Sequence, residues 1–163
     1  MIIHPFEPFY NTDSKILILG SFPSVKSREN NFYYGHIRNR FWKVLARVFC
    51  DVEPKTLPQK KAFLKKHKIA LFDVIKSCEI EKSSDLSIKN VTVNDLEPIL
   101  TGSQIKAIFV NGKTAYKYYE KYLKGTTKIK AVLLPSTSPA NAAYSLDALY
   151  KCWNNEIKKT SES

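Results

Sequence analysis

The chain has 163 residues, 44% of them hydrophobic, which is enough to bury one core of ordinary size without a disulfide framework or a structural metal. Lysine and arginine outnumber aspartate and glutamate by 26 to 15. The resulting charge of +11 is typical of proteins that bind nucleic acid, although a solvated basic surface would give the same count. We expect one domain over residues 1–163, with residues 158–163 as a frayed polar tail.

The spacing of the cysteines indicates whether a metal site exists, and the first residues indicate the cellular compartment. Cys50, Cys78 and Cys152 lie far apart with no close pair, which does not favour a zinc or iron–sulfur site. We therefore expect no metal and no cofactor. The chain starts without a basic segment followed by a long apolar run, and no run elsewhere approaches the length of a membrane span. These features predict a cytoplasmic, nucleoid-associated protein with no membrane partner.

Short apolar runs separated by amphipathic stretches set the predicted fold class. Four such runs predict strands, at residues 16–19, 70–75, 107–110 and 131–134. Their spacing suits strand–helix–strand units that feed a parallel sheet. Right-handed crossovers then place helices on both faces. The sequence thus predicts an α/β fold, in three layers α/β/α, around a central and mainly parallel four-stranded sheet.

Helical periodicity fills the gaps between these runs. The pattern predicts helices at residues 41–49, 57–66, 113–123 and 142–157. Thr92 resembles the N-cap of a further helix that Gly102 would close. Ser138 before Pro139 resembles another N-cap, whose free backbone N–H groups would suit an anion.

Loops that leave parallel strands at their carboxyl ends meet at one edge of a sheet, where open α/β folds bind ligands. Here those loops are residues 20–39, 73–84, 111–113 and 135–141. The sequence therefore predicts a ligand site on this edge.

Five segments in a fixed order carry a family resemblance over residues 15–141. They are G-S-F-P-S at 20–24, Y-Y-G-H-I-R-N-R-F-W at 33–42, L-F-D-V-I at 71–75, I-F-V-N-G-K at 108–113 and L-P-S-T-S-P-A-N at 134–141. Together they resemble the uracil-DNA glycosylase superfamily, most closely its hypoxanthine-DNA glycosylase branch and then the mismatch-specific thymine/uracil glycosylases. The resemblance implies a DNA glycosylase that hydrolyses the N-glycosidic bond of a deaminated base, hypoxanthine or uracil, in base-excision repair.

The same resemblance implies the catalytic residues. In mismatch-specific relatives the first motif has an Asn that positions the attacking water, and here Phe22 occupies that position. In the hypoxanthine branch the role falls to the Asn of the R-N-x-F-W segment, which is Asn39. Asn39 could instead be only the N-cap of the following helix. Asp73 stands where relatives place an amide that reads the flipped base, and it could also be a surface or capping residue at a strand end.

Further residues are implied for the base and for the DNA. Tyr34 stands where relatives stack an aromatic ring on the extruded base, although it could belong to the core with its aromatic neighbours. His36 could contact phosphate or base, or be structural. The full base-binding set is Ser21, Phe22, Tyr34 and His36. The loop at 135–141 matches the superfamily's second motif, which enters the minor groove. The predicted DNA-binding set is Arg38, Lys113, Ser136, Ser138, Pro139, Ala140 and Asn141.

The expected partner is double-stranded DNA that contains a deaminated or mismatched base, bound by a monomer. No lysine in the matched segments points to a pocket amine, so we expect base release without a lyase step. Three alternatives stay open on sequence alone. They are a G·U/G·T mismatch-specific glycosylase, a catalytically silent damage-binding module of the same fold, and an unrelated doubly wound enzyme acting on a nucleotide or a small phosphorylated ligand.

Overall fold

The computed structural model describes residues 1–80 and 88–161. The strands are β1 (Ile2–Ile3), β2 (Ile16–Gly20), β3 (Ile69–Asp73), β4 (Ile75–Ile80), β5 (Ile88–Val93), β6 (Ala107–Asn111) and β7 (Ala131–Leu134). The helices are α1 (Val25–Asn30), α2 (Phe41–Val48), α3 (Leu57–Lys66), α4 (Glu97–Thr101), α5 (Lys113–Tyr122), α6 (Lys124–Thr127) and α7 (Leu146–Ser161).

The central sheet has four strands in the order β3-β2-β6-β7, and all three pairings are parallel. β2 and β3 are buried along their whole lengths, as continuous aliphatic runs covered on both faces must be. α3 packs on β3, α5 packs on β6 and β7, and α2 packs against α7. The predicted three-layer α/β/α fold and its four parallel strands are confirmed.

A second, antiparallel sheet in the order β1-β4-β5 was not predicted. The run at 70–75 was predicted as one strand, but β3 ends at Asp73 and β4 begins at Ile75. A buried Asn94 side chain stabilises the break, since its amide nitrogen donates to the carbonyls of Asp73 (2.8 Å) and Ile75 (3.2 Å). The chain thereby leaves the parallel sheet immediately after Asp73.

Two predicted helix starts are wrong. Thr92 lies in β5 opposite Ser77, where the two hydroxyls bond across the strands, and α4 begins only at Glu97. Gly102 does follow that helix as its C-cap. Pro139 and Ala140 lie in a turn, and Ser145 caps the last helix by accepting from the Ala148 N–H at 3.1 Å. The pattern at Ser138 therefore stabilises a turn.

The bounds of the remaining helices agree closely with the predictions. α3 matches at both ends, because Thr56 and Gln59 form a capping box at its start. α2 starts at Phe41 as predicted and ends at Val48, with Phe49 as its C-cap. The predicted frayed tail is wrong over residues 158–161, since α7 continues through Ser161, whereas residues 162–163 lie outside the described part. Within residues 1–80 and 88–161, no helix is long and apolar enough to cross a membrane.

Candidate active site

A cavity of about 450 Å³ lies at the carboxyl ends of the parallel strands, on the edge where the sequence predicted a ligand site. Residues from the loop after β2, from the ends of β3 and β6, and from the loop after β7 line it together. Eight predicted site residues are among them: Ser21, Phe22, Tyr34, Asn39, Asp73, Ser136, Ser138 and Ala140. Five do not line it: His36, Arg38, Lys113, Pro139 and Asn141.

Asn39 lies in the turn before α2, and its side-chain oxygen accepts two hydrogen bonds from the protein. Oδ1 accepts from the Phe41 backbone N–H at 2.9 Å and from the Thr137 hydroxyl at 2.8 Å. A backbone N–H can only donate, so the atom facing it must be the amide oxygen. The NH₂ group has no hydrogen-bond partner among the described residues and is available to a ligand. The alternative that Asn39 is only the N-cap is wrong, since Arg40 is the N-cap of α2; Asn39 instead fixes the turn before that helix and lines the cavity at the same time.

Thr137 joins Asn39 to the end of β6. It is fully buried, and its N–H donates to Asn111 Oδ1 (3.1 Å) while its hydroxyl oxygen accepts from Asn111 Nδ2 (3.0 Å). The hydroxyl proton then goes to Asn39 Oδ1. Sequence reasoning missed Thr137 because it stands between two serines of similar chemistry. It placed Asn111 in a loop and in the I-F-V-N-G-K segment but gave it no role in the site.

Asp73 ends β3 and is only 3% exposed, so it is not a surface residue. Its Oδ2 lies 2.8 Å from Nε2 of His4. The nearby Gly20 has no room for a side chain, because a Cβ there would lie 2.5 Å from Asp73 Oδ1 and 3.0 Å from the Tyr34 hydroxyl oxygen. The glycine therefore permits the close approach of these two polar groups to the strand end.

Among the described residues, three aromatic side chains line the cavity, those of Phe22, Tyr33 and Tyr34. The Tyr34 ring stacks on Phe41 with centroids 3.8 Å apart, and its hydroxyl meets no partner in hydrogen-bond geometry among the described residues. Burial, and then the charge of Asp73, raise the pKa of Tyr34 well above its usual value, so this hydroxyl stays protonated. Phe32 and Tyr33 belong to the core, as the alternative interpretation of this aromatic run proposed.

Arg28 is the one cationic side chain among the described residues that line the cavity. Its guanidinium carbon lies 5.9 Å from the centroid of the Phe22 ring. Its Nε is buried without a hydrogen-bond partner. Sequence reasoning did not select Arg28, because an arginine in a short polar helix has no local pattern that marks it.

The loop at 135–141 is fixed by hydrogen bonds from Arg40 and by a bond within the loop itself. The Arg40 guanidinium donates to the carbonyls of Ser138 and Asn141, both at 2.9 Å, and to that of Tyr144. Asn141 Nδ2 donates to the Ser136 carbonyl at 2.9 Å. Pro139 and Ala140 stay exposed at the tip. The loop therefore presents a preformed projection beside the cavity, and Arg40, which sequence reasoning missed, holds it there.

Comparisons with known proteins show the family of the chain. Residues 7–158 match the family model described as the uracil DNA glycosylase superfamily. The chain belongs to this superfamily. Two curated relatives named hypoxanthine DNA glycosylase are similar to it. The one from Methanosarcina barkeri is 31% identical and covers 94% of this chain and 97% of its own. The one from Methanosarcina acetivorans is 32% identical and covers 89% and 92%.

A solved structure extends the comparison to three dimensions. The solution NMR structure of a protein from Methanosarcina acetivorans, described as a candidate uracil DNA glycosylase, superposes with a TM-score of 0.82. It is 29% identical and the match covers 98% of this chain and 99% of that one. The predicted superfamily is confirmed. The protein is a DNA glycosylase, a repair enzyme whose substrate is DNA that carries a damaged base.

The remaining predicted residues of the glycosylase lie on its surface outside the cavity. His36 and Arg38 are exposed in the turn before α2, where His36 Nδ1 accepts from the Arg38 backbone N–H at 3.0 Å. Lys113 is exposed at the start of α5. Their role towards DNA stays a prediction, and it would be to phosphates rather than to a base inside the cavity.

Proposed function

We propose that this glycosylase releases hypoxanthine from double-stranded DNA, and uracil more slowly, by hydrolysis of the N-glycosidic bond. The observation that carries the proposal is the pair of polar groups that the cavity leaves to a ligand. They are the NH₂ group of Asn39, which is a donor, and Oδ1 of Asp73, to which no described residue donates. The two curated relatives named hypoxanthine DNA glycosylase point to the same substrate.

One donor and one acceptor match the edge of a deaminated base. Hypoxanthine carries a ring N–H next to a carbonyl oxygen, and uracil does the same. Adenine carries a ring acceptor next to an amino donor, which is the reverse order. A site that hydrogen-bonds one order of donor and acceptor leaves its own buried polar groups unpaired when a base with the reverse order enters. The free-energy cost of these unpaired groups strongly disfavours binding of that base. The pair therefore favours the deaminated base over its parent.

The chemistry needs stabilised charge more than a strong nucleophile. The bond between C1′ and the base breaks with its electron pair going to the base nitrogen, while water adds its oxygen to C1′, and the proton that the water loses ends on the released base. We assign the positioning of this water, or of the departing base, to the Asn39 NH₂ group, because Phe22 cannot orient water. The guanidinium of Arg28 supplies positive charge for the anionic base or a flanking phosphate. The described cavity lining contains no lysine, which supports base release without a lyase step.

The DNA would be gripped around the preformed loop at 135–141. Flipping a nucleotide costs a few kcal/mol, and a rigid projection in the minor groove offsets part of that cost. We propose that Pro139 and Ala140 fill the space left by the base, with Ser136 and Ser138 near phosphates. The basic surface would add the sequence-independent part of the affinity.

The test is single-turnover base release from matched duplexes that contain one inosine, one uracil or one G·T mismatch. We expect the inosine duplex to react fastest. Preferred release of thymine from the G·T duplex would support the mismatch-specific alternative instead. Tight binding of the damaged duplex with no base released from any substrate would support a silent damage-binding module and contradict the proposal.

A further inference from the structure

The first residues of the chain contact the cavity-lining residue Asp73 through His4, which does not itself line the cavity. β1 pairs with β4, and the His4 backbone N–H donates to the Lys76 carbonyl at 2.7 Å. This pairing puts the His4 ring beside Asp73, where the two side chains are 3% and 4% exposed. Nε2 lies 2.8 Å from Asp73 Oδ2, and Nδ1 lies 2.8 Å from the Phe6 carbonyl oxygen.

Aromatic rings hold the imidazole in this orientation. The ring centroids of Phe6, Phe72 and Phe22 lie 4.7, 5.2 and 5.9 Å from that of His4. With its faces and edges packed this way, the ring has two hydrogen-bonding directions, and both are taken. The position of each proton can then be worked out from the partners.

A carbonyl oxygen can only accept, so Nδ1 must carry a proton for the bond to Phe6. If the imidazole is neutral, Nε2 has no proton and Asp73 Oδ2 must carry one. If the imidazole is charged, Nε2 carries the proton and the carboxylate accepts it. In both cases one proton lies between Nε2 and Oδ2, and Oδ1 carries none.

We propose that His4 is a positioning residue that keeps Asp73 Oδ1 a single, permanent hydrogen-bond acceptor and so sets the preference of the glycosylase for a base with one ring N–H. The inference rests on the proposed function. Guanine presents two adjacent donors, which a carboxylate with both oxygens free would accept together. His4 occupies Oδ2 and removes that possibility. Without the imidazole, no described residue would donate to Oδ2, and both oxygens of Asp73 would be left to a ligand.

Asp73→Asn separates positioning from charge. With His4 neutral, the new amide nitrogen can donate to Nε2 from the place of Oδ2, and the amide oxygen then remains an acceptor in the place of Oδ1. We expect Asp73→Asn to keep its preference for inosine over adenine and guanine. His4→Phe fills the same space but neither donates nor accepts. In the double variant the amide is free to turn over, so the preference should be lost.

The experiment measures single-turnover release of hypoxanthine, adenine and guanine from matched duplexes, with melting temperature recorded for each variant. We expect His4→Phe to lower hypoxanthine release about tenfold or more, which is the effect of about 1.4 kcal/mol. His4→Gln, whose amide can still donate to Oδ2, should recover most of it. A matched control exists in His67, whose Nε2 lies 2.8 Å from Asp51 Oδ2 away from the cavity. His67→Phe should alter stability only.

Three results would each overturn the proposed role of His4. If folded His4→Phe kept its base preference, the proposal would be overturned, because His4 would not be needed for that preference. A folded but inactive Asp73→Asn would also overturn it, because the role of Asp73 would then depend on its charge. If His4→Phe fails to fold, the contrast between Asp73→Asn and Asp73→Leu takes its place, and equal base preferences in those two would overturn it. Failure of the proposed function is distinct, because the unmodified glycosylase would then release no hypoxanthine.

Discussion

Replacement of Asn39 tests the assignment of catalysis most directly, because the structure separates its two roles by atom. Oδ1 holds the turn before α2 through Phe41 and Thr137, and the NH₂ group is left for the substrate. Asn39→Ala removes both. Asn39→Asp keeps an oxygen for both protein donors and removes only the NH₂ donor. Together the two variants distinguish a structural from a chemical contribution.

The magnitudes follow from the lost contacts. Loss of the bond from the Phe41 N–H costs about 1 kcal/mol, and a buried hydroxyl left without its acceptor, here Thr137, costs about 1–3 kcal/mol. Asn39→Ala should therefore lower the free energy of unfolding by about 2–4 kcal/mol, and the melting temperature by about 2–4 °C for each kcal/mol. Asn39→Asp should lose much less stability. Both should slow base release about 10²-fold or more, as removal of one preorganised donor does in other enzymes.

The assay is single-turnover release of hypoxanthine at a temperature where every variant is folded, beside calorimetric melting and the affinity for the damaged duplex. Affinity should change far less than rate. If Asn39→Asp and Asn39→Ala both release base at the parental rate from every substrate, the reasoning is refuted and Asp73 becomes the leading catalytic candidate. A slow Ala variant beside a fully active Asp variant would show that only the Oδ1 contacts matter.

Three further predictions concern the DNA, the loop and acid stability. Affinity for a damaged duplex should fall steeply as salt rises, in proportion to the phosphates neutralised, and a salt-independent titration would argue against phosphate contacts. Arg40→Met removes the guanidinium bonds to the loop at 135–141, so base extrusion reported by a fluorescent base analogue should weaken, whereas unaltered extrusion would leave the loop no part in flipping. The bond from His67, then the Val52 N–H and Lys66, lower the pKa of Asp51 to about 2 from 3.8. Its contribution is present above pH 3.8 and is lost towards pH 2, so the melting temperatures of the parent and of Asp51→Asn should converge over that range.

The parallel sheet was predictable because each strand carries its own signal. A run such as Ile16–Leu19 is apolar without alternation, and only a strand covered on both faces uses such a run. The antiparallel sheet carries no comparable signal. β1 has two residues, and β5 has no buried residue and two successive exposed ones, so it lacks a regular strand pattern and Thr92 matched a helix-cap pattern instead. The strand conformation of β5 depends on its pairing with β4, which is a tertiary contact.

In the candidate site, too, some residues could be predicted from local sequence patterns and others depend on tertiary contacts. Asn39 and Asp73 were predicted because they follow strands or stand in motifs whose order along the chain is informative. His4 was missed because its partner Asp73 lies 69 residues away in the sequence. Within its motif Thr137 could not be told from the serines on either side, because the partner that distinguishes it, Asn39, lies 98 residues away. No local spacing marks such residues. They become visible only once β1 is paired with β4 and the loop after β7 lies beside the turn before α2.

The two polar networks of the site share one design. In the first, His4 takes one oxygen of Asp73 and leaves the other. In the second, protein donors take the oxygen of Asn39 and leave its nitrogen. Each buried side chain is fixed by its own protein partner, so the remaining acceptor and donor are held in place before any base arrives. Preorganised groups of this kind need no rearrangement when charge develops, so under the proposed function they would favour both the binding and the departure of the base although Phe22 stands at the first-motif position.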